Sequence, residues 1–182
     1  MPRGITTSCR VFEAGKPSEE KPAEAWKALS ARQQKLCDGL NQCSTIRYTR
    51  VDTDLTFRCR GRTWINCDGK LNLPDGEVFT GPVEDSVNGA IRFTFPGIFQ
   101  GQEVEDIFLR FKNGKVEEAG SVQGEDLLHK LLHTDAGSSY VGEIAIGTND
   151  QVRHFFPFMR VCSRWQNRVA TRVRFGRYFA AP

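Results

Sequence analysis

The stretch Trp64-Ile-Asn-Cys-Asp-Gly-Lys-Leu-Asn-Leu-Pro-Asp-Gly-Glu-Val-Phe-Thr-Gly-Pro-Val-Glu-Asp-Ser-Val-Asn-Gly89 carries three turn signals: Asp68-Gly69, Pro74-Asp75-Gly76 and Asn88-Gly89. Glycine supplies positive φ in such turns, proline presets φ, and Asp or Asn bonds its own backbone. Glu77 follows the second signal at once and precedes the apolar pair Val78-Phe79. A carboxylate at a strand start, straight after a rigid turn, is held in one place, which a metal ligand requires. A solvated turn residue is the other reading of the same letters.

Outward from this stretch the hydrophobic period changes twice. On the N-terminal side, Pro22 to Asn41 predicts one amphipathic helix, with Ala25, Trp26, Leu29, Gln33, Leu36 and Leu40 at spacings of three and four. Pro22 suits its first turn and Gly39 or Asn41 its end. After Ser44 the period becomes two. Leu55, Phe57 and Cys59 alternate with Thr56, Arg58 and Arg60, a half-buried strand. Gly61-Arg62 offers a hairpin turn, with Thr63 to Asn66 returning. On the C-terminal side, Ala90 to Phe95 alternates and stops at Pro96-Gly97. Gln102 to Phe111 predicts one strand, turned at Lys112-Asn113-Gly114-Lys115, with Val116 to Val122 returning. From Gly124 the period is helical through Leu127, Leu128, Leu131 and Leu132. Val141 to Ile146 is a short apolar strand with Glu143 inside it. The expected class is α+β, an antiparallel β-rich domain with one helix before the sheet and one after.

The 182 residues suffice for one ordinary domain, and 39% hydrophobic with 26% charged side chains is globular on the polar side. No apolar run is long enough to cross a bilayer, and the N-terminus lacks a signal peptide's apolar stretch, which reads as cytoplasmic. The six cysteines show no C-x-x-C spacing and read as reduced thiols. The net charge of +3 hides a break. Residues 151–182 hold seven arginines, no lysine and no acid, which leaves 18 basic and 22 acidic side chains, a net of −4, in residues 1–150.

The run from Leu73 to Gly89 resembles the signature of the thermophilic metallo-aminopeptidase family, the aminopeptidase T or leucyl aminopeptidase-like enzymes. In that family the Glu of a Gly-Glu-Val-Phe segment binds metal, and it matches Glu77. A second ligand, the Glu of a Gly-Glu-x-Ala segment, matches Glu143 in Val141-Gly-Glu-Ile-Ala-Ile-Gly. The resemblance covers Glu24 to Phe155. It implies hydrolysis of N-terminal peptide bonds by metal-activated water and two divalent ions per complete site, Co, Zn or Mg. It also implies peptide substrates, a homodimer in the intact family member, and a possible metal-bridging role for Glu143. Carboxylates suit such hard or borderline cations. A charge buried inside an apolar strand, as at Glu143, needs a metal, an arginine or a raised pKa to compensate it. A non-catalytic β-rich module for binding or assembly, with Glu77 and Glu143 in ordinary ion pairs and a basic C-terminal helix, is the alternative.

Other candidates weigh less. Glu84 and Asp85 lie inside the signature, but adjacent strand residues face opposite ways, and both read as structural. His129 and His133 have the i, i+4 spacing of paired ligands, yet Lys130 stands where the zinc-protease motif requires Glu. The leucines mark the buried side, so the histidines fall at the solvent edge. His154 is isolated.

The expected organisation is a flexible lead-in over 1–22, a partial catalytic domain over 23–155 and a basic tail over 156–182. The family has a further His after its second Glu and a later His-x-Asp pair, and neither is present. The chain therefore reads as a truncated internal piece with an unrelated tail, short of the ligands that full activity requires. The tail has two readings. One is a frameshift product. The other is a basic helix with Arg160, Arg164, Arg168 and Arg172 at i+4 steps beside Val161, Trp165, Val169 and Val173. Only through such a helix is nucleic acid or membrane expected as a partner.

Overall fold

The computed structural model describes residues 22–70, 75–94, 96–99, 101–148 and 171–175. Helix α1 (Pro22–Leu40) leads into strands β1 (Thr45–Arg50), β2 (Thr53–Arg58), β3 (Ile65–Cys67) and β4 (Glu77–Thr80). A 3-10 turn (Glu84–Ser86) precedes β5 (Asn88–Phe93), β6 (Gly97–Phe99), β7 (Gln102–Val104), β8 (Ile107–Lys112) and β9 (Lys115–Gly120). Helix α2 (Glu125–Leu132), β10 (Val141–Gly147) and β11 (Thr171–Phe175) follow. The class is α+β with antiparallel pairing, as the alternating and helical periods require.

The described residues form two units. The first holds 22–40, 64–70, 75–79, 145–148 and 171–172; the second holds 41–63, 80–94, 96–99, 101–144 and 173–175. A five-stranded sheet in the order β1-β2-β5-β8-β9 lies in the second unit. A four-stranded sheet has the order β11-β10-β4-β3, and the unit boundaries fall within β4, β10 and β11. Strands β6 and β7 form a separate ribbon.

In the second unit, period-two alternation sends Leu55 and Phe57 of β2, Ile91 of β5, and Leu109 and Phe111 of β8 to one face. They form a core with Leu128 and Leu132 of α2 and with Val141 and Ile144 of β10. Helix α2 presents Leu128 and Leu132 because i, i+4 residues share a face. The turn expected at Asn113-Gly114 joins β8 to β9, with φ of 49° and 83° at the two residues. Both positive values are what a two-residue hairpin turn of the primed kind needs.

Three expectations are corrected here. Gly61 does turn the chain, at φ 77°. The segment after it, however, makes no hairpin with β2: β3 pairs instead with β4, Ile65 against Phe79 and Cys67 against Glu77. The strand expected over Gln102–Phe111 is broken at Asp106, which sits in the left-handed region at φ 54°. Its carboxylate accepts from Arg92 Nε and Nη2 at 2.7 and 2.6 Å, while Arg92 Nη1 donates to Asp52 Oδ2 at 2.7 Å. Asp52 also has φ 54°, so one arginine ties down two strained turns. Third, Asn88-Gly89 is not a turn. Both residues open β5, and Gly89 is needed for the close approach of two strands.

In the first unit, α1 buries Leu29, Gln33 and Cys37. Cys37, one i+4 step beyond Gln33, is fully buried, and the expected Leu36 beside it is half-buried. Burial raises the Cys37 thiol pKa and the neighbouring Asp38 carboxylate adds to this, so the sulfur stays a neutral apolar group. Among the described residues, Cys37, Cys43, Cys59 and Cys67 form no disulfide; Cys9 and Cys162 lie outside them.

Residues 1–21 of the lead-in, His154 and residues 160–170 of the expected tail helix also lie outside the described residues. At Thr171–Phe175 the backbone is a strand, so the helix does not extend to Val173. Among the described residues, no helix is long and apolar enough to cross a membrane.

Candidate metal centre

Glu77 stands at the first position of β4 and is only 6% exposed. The backbone before it is fixed from several directions. Thr148 donates from its N–H and its Oγ1 to the Gly76 carbonyl, at 2.8 and 2.9 Å. Arg32 Nη2 donates in turn to the Thr148 carbonyl. Gln33, fully buried on α1, donates from Nε2 to the Cys67 carbonyl at 3.0 Å and to the Glu77 carbonyl at 2.7 Å. Both neighbours can only accept, which fixes which end of the amide is the nitrogen. One polar side chain thus clamps the β3–β4 pair where Cys67 faces Glu77.

Asp75 lies two residues before Glu77 and is 3% exposed. Its carboxylate accepts from Gly76 N at 2.9 Å and from Gly69 N at 3.3 Å. Two of the three turn signals therefore meet in one Asp-centred loop. Gly69 (φ 91°) and Gly76 (φ 123°) take backbone conformations that other residues avoid. Beside them, Asp68 accepts from Lys70 Nζ at 2.5 Å and from Ser30 Oγ at 2.6 Å. The Lys70 bond first, then the Ser30 bond, hold the Asp68 carboxyl below the usual carboxylate range.

Cys67, Asp75 and Glu77 each offer a ligand atom, and the three atoms lie within 4.8 Å of one another. All three residues are buried. Two buried carboxylates this close repel each other and lose hydration, and a shared cation offsets both costs. Carboxylate oxygens with one thiol sulfur suit a borderline divalent ion such as Zn²⁺ or Co²⁺, so the residues fit a metal.

Glu143 lies in the second unit, on β10, and is 8% exposed. Ile144 and Ala145 beside it are also buried, which gives the apolar setting expected from the sequence. Glu84 and Asp85 are exposed and lie in the 3-10 turn rather than in a strand. Glu84 pairs with Arg62 at 2.7 Å and Asp85 with Arg58 at 3.0 Å, ordinary surface ion pairs. His129 and His133 are exposed on α2.

The family described as thermophilic metalloprotease (M29) matches residues 6–159. The chain belongs to the M29 family. Aminopeptidase AmpS of Bacillus subtilis (strain 168) is 33% identical over 147 residues, which cover 75% of this chain and 36% of that protein. Aminopeptidase T of Thermus aquaticus is 30% identical over 181 residues, 93% of this chain and 44% of that protein. The solved structure of wild-type AmpT from Thermus thermophilus superposes with a TM-score of 0.63 at 31% identity, covering 69% of this chain and 34% of that one. The chain thus spans well under half the length of these M29 relatives. A 93% share also carries the likeness to the T. aquaticus protein past Phe155, so the arginine-rich end falls in part within it.

Cys67 and Asp75 were not legible as ligand candidates from the letters alone. Asp75 was signalled only as a turn former, since the positive φ at Gly76 decides how it stands to Glu77. For Cys67 there was none, because the register that sets it opposite Glu77 is made across nine intervening residues.

Proposed function

We propose that the protein is a metal-dependent aminopeptidase that hydrolyses N-terminal peptide bonds. The observation that carries this reading is the buried group around Glu77 in an M29 chain. In it, Glu77 and Glu143 would each be ligands to divalent ions, Co, Zn or Mg, and Cys67 and Asp75 would add donors beside Glu77. A divalent ion bound there supplies Lewis-acid polarisation of a peptide carbonyl and lowers the pKa of water.

The chain's own residues do the rest. The Gln33 clamp and the Asp75 loop fix the backbone that carries Glu77 before any ion arrives, so less ordering remains to be done on binding. Burial keeps bulk water from the carboxylates and strengthens their charge interactions. Peptides are the substrates in this reading, the assembly is a homodimer, and the compartment is the cytoplasm. The lead-in, catalytic and tail segments keep the bounds given above.

The test is release of nitroaniline from an aminoacyl-p-nitroanilide by purified, folded protein. Release is expected with added Co²⁺ or Zn²⁺ and is abolished by a chelator. A metal-loaded, folded protein that contains the full family domain and releases nothing contradicts the reading.

A further inference from the structure

We propose that His129 and His133 form a second cation site, for a transition metal such as Zn²⁺ or Ni²⁺, on the exposed side of α2. The two histidines are one helical turn apart, the spacing at which side chains on a helix surface meet. Leu128 and Leu132 take the buried side, which leaves both imidazoles in solvent. Their ring centroids are 6.4 Å apart and the planes are tilted by 33°. Two imidazoles on one tetrahedral zinc have centroids roughly 5 Å apart, given the usual Zn–N distance. Exposed rings cover the difference by small rotamer changes.

The second nitrogen of a metal-binding histidine is normally engaged by a carbonyl or carboxylate, which orients the ring and fixes its tautomer. His133 has this feature. Its Nδ1 lies 2.7 Å from the His129 carbonyl oxygen. A carbonyl only accepts, so Nδ1 carries the proton and Nε2 keeps its lone pair for a metal. Glu125, one turn before His129, puts its Oε1 3.9 Å from His129 Nε2. A carboxylate there adds negative charge where a cation held by His129 would sit. Imidazole donors select zinc, nickel and copper over magnesium and calcium. The buried group around Glu77 has no part in this site, so the inference does not depend on the peptidase reading.

Equilibrium dialysis against ZnCl₂ or NiCl₂ alone tests it. The H129Q/H133Q variant is expected to bind one metal equivalent fewer than the parent, and the E77Q/E143Q variant to keep that equivalent. Because both histidines are exposed, the double variant keeps the parent's fold. A second readout is the histidine region of the proton NMR spectrum, where zinc shifts the resonances of both rings. Equal equivalents in parent and double variant, or imidazole resonances that zinc leaves in place, overturn the proposal.

Discussion

Glu77→Gln is expected to lower the affinity of the protein for Zn²⁺ or Co²⁺ by about 100-fold or more, since substitution of groups merely supporting a ligand already costs 10–100-fold. The substitution preserves size and removes one charge from a buried trio whose ligand atoms lie within 4.8 Å of one another. The backbone bond from Gln33 to the Glu77 carbonyl does not involve the side chain, so the strand keeps its place. Without metal, the variant holds one fewer buried charge, and its thermal midpoint should equal or exceed the parent's. That pairing of results separates a ligand from a structural ion-pair residue. Unchanged metal affinity with a lower midpoint would assign Glu77 to an ordinary ion pair. Glu84→Gln is the control: it lies in the same signature, is exposed, and is bonded to Arg62, so it should leave metal affinity unchanged.

The second large effect concerns stability. Gly89→Ala is expected to destabilise the fold by about 3–5 kcal/mol, combining left-handed backbone strain with overpacking. Gly89 has φ of 112°, and a Cβ on it would lie 2.0 Å from the Asp54 carbonyl oxygen. That oxygen belongs to the backbone of β2, where Leu55 faces Gly89 in the middle of the five-stranded sheet. Relief would require the two strands to part, and no rotamer change can supply it. Gly39→Ala is the contrast. Gly39 lies in α1 with nothing within 4 Å of its added Cβ, so alanine there should stabilise by about 0.5–1 kcal/mol through helix propensity. Urea denaturation of the three proteins decides the matter, and a Gly89→Ala midpoint equal to the parent's would contradict the packing described for β2 and β5.

Gly89 also marks what the letters could and could not say. Asn-Gly is a strong turn signal because both residues tolerate positive φ. The positive φ is there, yet its cause is a strand crowding the backbone, which depends on a partner more than thirty positions away. Local periodicity was a good guide where one element packs one face, as in α1, β2, β8 and α2. It failed at Asp106, where a left-handed residue whose side chain accepts from Arg92 breaks the strand expected over Gln102–Phe111. It also failed after Gly61, where the next strand joins a different sheet. The candidate centre was legible in the same partial way. Glu77 was visible through its turn and through the family signature. Asp75 was visible only as a turn former, because its carboxylate has to bond Gly69 and Gly76 before it can face Glu77. Cys67 and Gln33 enter through tertiary register alone.

The central claim is that Glu77 holds a divalent cation. Anomalous diffraction at the zinc edge, from crystals of the protein grown with zinc, tests it most directly. The account predicts an anomalous peak at coordination distance from the Glu77 carboxylate, about 2.0–2.2 Å. Well-ordered density for Glu77 with no peak beside it, while zinc occupies other positions, would contradict the account.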